Sequence, residues 1–167
     1  MTPGPHLVPT RRRALDDLAG TAARLVLVTA PAGGGLSTFL RAYADAADAT
    51  HRLLGLSWEE APGSALAGAD PGGGDLVVLE DAHHADPSSV QALVSAARAA
   101  DGPRVVLGWR VPGGADPAQD LLFDSVRAAA DEVVPLAALS AEDVAALAEQ
   151  RGVVLPASQV DRLLRHT

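Results

Sequence analysis

Apolar positions along this chain follow two alternating patterns. Short, nearly unbroken apolar runs occur at Leu25–Val28, within residues 52–58 (RLLGLSW), within Asp75–Glu80 (DLVVLE), from Arg104 to Trp109 and from Glu132 to Leu136. Runs of this length and composition predict strands covered on both faces, as in a parallel sheet. Between them the apolar residues recur every three or four positions, which predicts helices. Thr10 is placed to cap a helix through about Ala19, with Leu15 and Leu18 on one face. A second helix runs from Ser37 to about Ala47. A third opens at Asp86-Pro87, carries Val90, Leu93, Val94 and Ala97 on one face, and ends at Asp101-Gly102-Pro103. A fourth covers about Ala118 to Ala130. Ser140 and Asp143 form a variant capping box for a helix to about Arg151, and Pro156 opens the last one. Strand–helix alternation repeated five times implies a parallel, three-layer α/β sheet. Residues 1–10, with three prolines, read as an extended lead-in, and Glu59–Gly74, with Pro62, Pro71 and five glycines, as a loop.

The charged and special residues refine this picture. The 167 residues, 48% hydrophobic and 20% charged, suffice for one domain with a core, much of it alanine. There is no cysteine, which excludes disulfides and thiolate metal sites and is compatible with a cytoplasmic location. The N-terminus lacks the apolar run of a signal peptide, and no stretch of about 18 apolar residues predicts a membrane span. A net charge of −8 argues against direct nucleic-acid binding by this chain. All 13 basic residues are arginine. Arg11, Arg12 and Arg13, in the first turn of the first helix, are either solvated charge or one arginine near a nucleotide.

The stretch RLVLVTAPAGGGLSTFL, Arg24 to Leu40, joins a buried strand to a helix through a glycine-rich turn. That is the layout of the phosphate-binding loop G-x-x-x-x-G-K-[ST]. Ala30 stands at the first glycine, Gly35 at the second, Leu36 at the lysine and Ser37 at the hydroxyl. Gly33, Gly34 and Gly35 can shape a nest of backbone N–H groups for an anion, aided by the dipole of the following helix. Ser37 is placed to hold Mg²⁺ and Thr38 to reach a phosphate. Leu36 offers no ammonium, and a lost charge-assisted hydrogen bond weakens triphosphate binding about 10- to 100-fold. The loop alone is also compatible with a plain strand–helix turn.

The run LVVLED ends in Glu80 and Asp81, at the strand end that lines the ligand crevice of a parallel sheet. A magnesium-bridging carboxylate and a water-orienting carboxylate belong at such a place. The alternative is a pair of solvated acids. His83 and His84 lack the spacing of a chelating pair and suit a polar supporting role. Arg110, after the fourth strand, can sense a phosphate or lie on the surface.

These segments, with VVLGWR and VVPLAALSAEDVAALA, resemble the signal-transduction ATPase (STAND, AAA-like) domain of large LuxR-type bacterial transcriptional regulators, the class that includes the maltose activator. The resemblance runs from about residue 8 to the end, and EDAHHADP is its most diagnostic piece. It implies a P-loop NTPase-type parallel five-stranded sheet with helices on both faces over residues 1–138, and the start of a C-terminal helical lid over 139–167. It implies a regulatory switch driven by ATP or ADP with Mg²⁺. By position Gly33, Gly34, Gly35, Leu36, Ser37 and Thr38 would line the phosphates, Ser37 and Glu80 would hold the metal, Asp81 would orient water and Arg110 would be the sensor arginine. It also implies self-association or contact with other domains of a longer regulator, of which this chain is the N-terminal piece or a truncated form. Leu163 and Leu164 would then lie on an incompletely covered surface.

The departures are Leu36 for lysine, Ala30 for glycine, Glu80 for aspartate, His84 for tryptophan and the glycine-rich 59–74 loop. They point to at most a weak ATPase. Two alternatives stay open: a pseudo-NTPase interaction module that has lost nucleotide, and a hydrolase using an arginine such as Arg41 in place of the lysine.

Overall fold

A computed structural model describes residues 7–47, 53–56, 76–111 and 117–164. The expected lead-in up to residue 6, all of the predicted loop 59–74 after the second strand, and the last three residues lie outside them. The chain is an α/β structure built on a parallel sheet. Helix α1 (Pro9–Gly20) precedes β1 (Leu25–Ala30), α2 (Leu36–Ala47), β2 (Leu53–Leu56) and β3 (Leu76–Leu79). A short 3₁₀ turn, Ala82–His84, leads into α3 (Pro87–Arg98), β4 (Arg104–Arg110), α4 (Pro117–Ala129), β5 (Glu132–Pro135), α5 (Ala141–Gln150) and α6 (Ala157–Leu164). The strands lie in the order β2–β3–β4–β1–β5, and every neighbouring pair is parallel.

The apolar runs of β1, β3 and the body of β4 are buried because both sheet faces are covered there, whereas β5, at the sheet edge, is only partly covered, with Val133 37% exposed. In β1, Val26, Val28 and Ala30 join Leu15 and Leu18 of α1 and Phe39, Leu40 and Tyr43 of α2 in one core cluster. Leu25 and Leu27 point the other way, into a cluster with Val90, Leu93 and Val94 of α3 and Val126 of α4. Strand β4 alternates likewise, with Val106 on the first face and Val105, Leu107 and Trp109 on the second. The period-two alternation is present but carries no polarity signal, since both sides are apolar.

Several boundaries move for identifiable reasons. Helix α1 begins at Pro9, with Val8 as the flanking residue and no side-chain cap, so Thr10 is not the cap. Proline suits the first helical position because its φ is preset and its missing N–H is not needed there. Helix α2 begins at Leu36 rather than Ser37, with Phe39 N–H donating to Gly35 O at 3.0 Å. Strand β4 runs on to Arg110 because Val111 N–H reaches Ala30 O at 2.9 Å. Asp86 caps α3, accepting from Ser89 N–H at 2.9 Å, and the serine hydroxyls around it hold its carboxyl down to about 2. The Ser140–Asp143 capping box forms in both directions. In the last helix Leu163 is half exposed, as expected, whereas Leu164 is partly buried.

Gly108, on the α2 side of β4, sets how closely that helix approaches. A Cβ at this position would lie 2.4 Å from Leu40 Cδ1 and 3.5 Å from Leu36 Cδ2. Gly108→Ala is expected to lower stability by about 1–3 kcal/mol, as overpacking of a dense core does. Urea unfolding measures it, and pairing the change with Leu40→Ala should give a combined cost below the sum of the two single costs.

Candidate functional site

The strand order determines what meets at one edge of the sheet. β4 lies between β3 and β1, with Leu79 opposite Leu107 and Ala30 opposite Arg110. The C-terminal ends of three adjacent strands therefore bring together Glu80 and Asp81, Arg110, and the glycine loop after Ala30. This is the crevice end of a parallel sheet.

The loop has the geometry of an anion cradle. Gly33 and Gly35 have φ of 70° and 76°, a region that costs a residue with Cβ free energy. Gly34 N–H closes a turn on Pro31 O at 3.0 Å. The first N–H groups of α2 have no partner within the helix and face an anion by default. Pro31, Gly33–Thr38 and Arg110 line a cleft of about 240 Å³. A second, smaller cleft of about 100 Å³ shares Gly35 and Thr38 with it and continues between Leu7, Val8, Arg11, Leu139, Leu147 and Arg151. Its apolar wall before α1 has a sequence signal in the pair Leu7-Val8. Arg151 has none, since it becomes a neighbour of the loop only through the tertiary fold.

Leu36 does not plug the cradle. It lines the cleft, yet it is only 6% exposed and belongs to the core cluster beside Leu40. Its Cδ2 methyl lies toward Gly108, so the lysine position is used for packing and the cleft stays open.

Arg11 corrects the solvated-charge reading of the first arginines. Its side chain is buried, and its guanidinium donates to Gly34 O at 3.0 Å and also to Ala137 O. Burial lowers its pKa, and the nearby Asp143 partly restores it. Arg11 thus ties α1 to the middle of the loop and to the segment entering α5. Arg12 and Arg13 are exposed.

The acids are each matched with a cation. Arg41 Nε lies 3.4 Å from Glu80 Oε1, and Arg110 Nε lies 3.2 Å from Asp81 Oδ1. Asp81 adopts a left-handed backbone, φ 50° and ψ 44°, which aspartate tolerates better than most residues. Its carbonyl accepts from His84 N–H at 2.8 Å, and Gln119 donates to His83 O at 3.1 Å, fixing the 3₁₀ turn. Beneath lie Trp109 and Phe123, 5.7 Å apart, with the His83 ring 6.4 Å from Trp109. Burial first, and then His84, push the His83 pKa down, against the pull of Asp81. No cluster of metal-ligating side chains forms among the described residues. Ser37 and Glu80, the pair expected to hold magnesium, make a poor donor set, because the carboxylate already faces a guanidinium. The glycine cradle, by contrast, fits a phosphate.

No family model matches the sequence, and no curated protein matches it. Solved structures do. AMPPCP-bound DnaA from Aquifex aeolicus aligns with 95% of this chain and 54% of its own, at 14% identity and a TM-score of 0.60. The Holliday junction branch migration motor RuvB of Thermotoga maritima aligns with 93% of this chain and 53% of its own, at 15% identity and a TM-score of 0.59. PCH-2 of C. elegans aligns over 84% and 43%, at 15% identity and a TM-score of 0.51. The chain spans about half the length of these structures or less. The likeness shows the fold alone, a P-loop NTPase-like α/β fold.

Two outcomes are expected. Arg11→Met, which keeps the apolar stem, should lower stability by roughly 2 kcal/mol in urea unfolding by removing charge-assisted hydrogen bonds. The folded-state pKa of His83 lies below its unfolded value of 6.5, so the folded state resists its protonation. Stability should therefore fall as pH drops below 6.5 toward the folded-state value, and His83→Gln should flatten that slope in unfolding curves at pH 7 and pH 5.

Proposed function

We propose that this chain is a nucleotide-binding regulatory switch domain that takes ATP or ADP and hydrolyses it weakly or not at all. The observation that carries the proposal is the open glycine cradle at the edge where Glu80, Asp81 and Arg110 also converge. In this reading the backbone N–H groups of residues 33–38 grip the phosphates, and Arg110 contacts them from β4. The apolar cleft between Leu7-Val8 and Leu139-Leu147 takes the nucleoside. Asp81 is the group that would orient an attacking water, and its pairing with Arg110 keeps it from doing so efficiently. The absent lysine removes the charge that stabilises phosphoryl transfer, which is why turnover is placed at weak or nil.

The resemblance of LVVLEDAHHADP and its flanking motifs supports assigning the domain to a LuxR-type, cytoplasmic transcriptional regulator. Residues 1–138 then form the P-loop core, and 139–167, with α5 and α6, begin a helical lid. Self-association or contact with further domains reads out the nucleotide state, and DNA is bound elsewhere in the regulator. No helix among the described residues is long and apolar enough to cross a membrane.

Titration calorimetry with ATP and ADP tests the proposal; absence of heat and of a thermal shift at roughly millimolar nucleotide would remove it. The burial of Leu36 favours one rival reading, a pseudo-NTPase interaction module without a ligand. Leu36→Lys separates the two. On the proposed reading the parent binds and the variant binds about 10- to 100-fold more tightly, by one added charge-assisted contact. A variant that binds where the parent does not would support the rival.

A further inference from the structure

Two ion pairs, Arg41 with Glu80 and Arg110 with Asp81, stand by the strand ends that carry the cleft, and Arg110 lines it. Ser37 and Arg41 are four residues apart on α2 and share a helix face. Arg41 thus lies one turn beyond the hydroxyl at which a dication would be held, and its Nε is 3.4 Å from Glu80, the carboxylate that would complete the site. On the other side, Arg110 holds Asp81 at 3.2 Å and lines the cleft itself. In each pair the carboxylate already has a guanidinium beside it. A magnesium ion between Ser37 and Glu80 would have to displace Arg41 from its carboxylate and then face a guanidinium a few ångströms away, an unfavourable like-charge contact.

Both arginines remain accessible, their side chains 73% and 50% exposed. A guanidinium has five N–H donors in a planar fork, so it can hold a carboxylate oxygen and a phosphate oxygen at once. We propose that the cleft binds its polyphosphate ligand without magnesium, with Arg41 and Arg110 supplying the positive charge that a dication and the loop lysine supply together in an unaltered phosphate-binding loop. This rests on the nucleotide-binding reading and states what that reading leaves open: the ligand enters as the free nucleotide anion. Glu80 is then a positioning residue that holds Arg41 at the cleft.

The experiment is calorimetric titration of the 167-residue chain with ATP, once in excess EDTA and once in excess Mg²⁺. The two dissociation constants are expected to agree within roughly threefold. Arg41→Ala, at an exposed position, should leave the melting curve unchanged and weaken ATP binding in EDTA by about tenfold. It should also make binding tighter in Mg²⁺ than in EDTA, because Glu80 is set free. Binding by the parent that is about tenfold or more tighter in Mg²⁺ overturns the inference while leaving nucleotide binding intact. Unchanged binding by Arg41→Ala in EDTA also overturns it. No binding in either buffer overturns the nucleotide-binding reading, and this inference with it.

Discussion

Helix α2 lies against β4 at a position with no side chain, and the geometry of the loop follows from that contact. Gly108 leaves room for Leu40 and Leu36 to descend onto the sheet. With the helix seated so low, its first turn is level with the C-terminal strand ends, and the segment from Pro31 to Gly35 must reverse direction over a short span. Glycines with positive φ at 33 and 35 make that reversal possible. The same contact turns Leu36 inward, so a substitution that removes a cation also adds to the core. Packing and anion binding compete for one position, and packing holds it.

Around this centre the charges are arranged in pairs. Each acid at the sheet edge has an arginine, and the buried Arg11 gives one terminal nitrogen to carbonyl oxygens of the loop and of the strand exit, while its Nε is buried without a partner. The charged arms of Arg41 and Arg110 remain in contact with solvent, where ion pairs contribute modestly and exchange partners readily. Arg11 is different. Its burial makes its partners obligatory, since an unpaired guanidinium in the core would be costly. One arginine is thus structural and two are adaptable, a distinction set by their surroundings.

Much of the fold was legible because β1, β3 and β4 are buried on both sides and several helices carry standard end signals. The runs at 25–28, 76–79 and 104–109, the Asp86-Pro87 start and the Ser140–Asp143 box depend on local chemistry alone. The α1 start was misread because Thr10 is a good capping residue in isolation, whereas Pro9 immediately before it settles the first turn. The candidate site was legible as far as its members are consecutive: the glycines, the two acids, and the arginine after β4. The pairings were not legible. Arg41 with Glu80 and Arg11 with Gly34 join residues that only the sheet order and helix seating bring together. Nor could spacing reveal that Leu36 faces the sheet, since that depends on a glycine some seventy positions away.

The smaller cleft has walls from distant parts of the chain: Leu7 and Val8 before α1, and Leu147 of α5 with Leu139 and Arg151 on either side of that helix. Arg11 spans the same gap. A molecule lodged there would touch both parts at once, so its grip and the placement of α5 are thermodynamically linked. Linkage of this kind is reciprocal. Whatever clamps α5 from outside changes retention of the lodged molecule by the same factor with which that molecule stabilises the clamp.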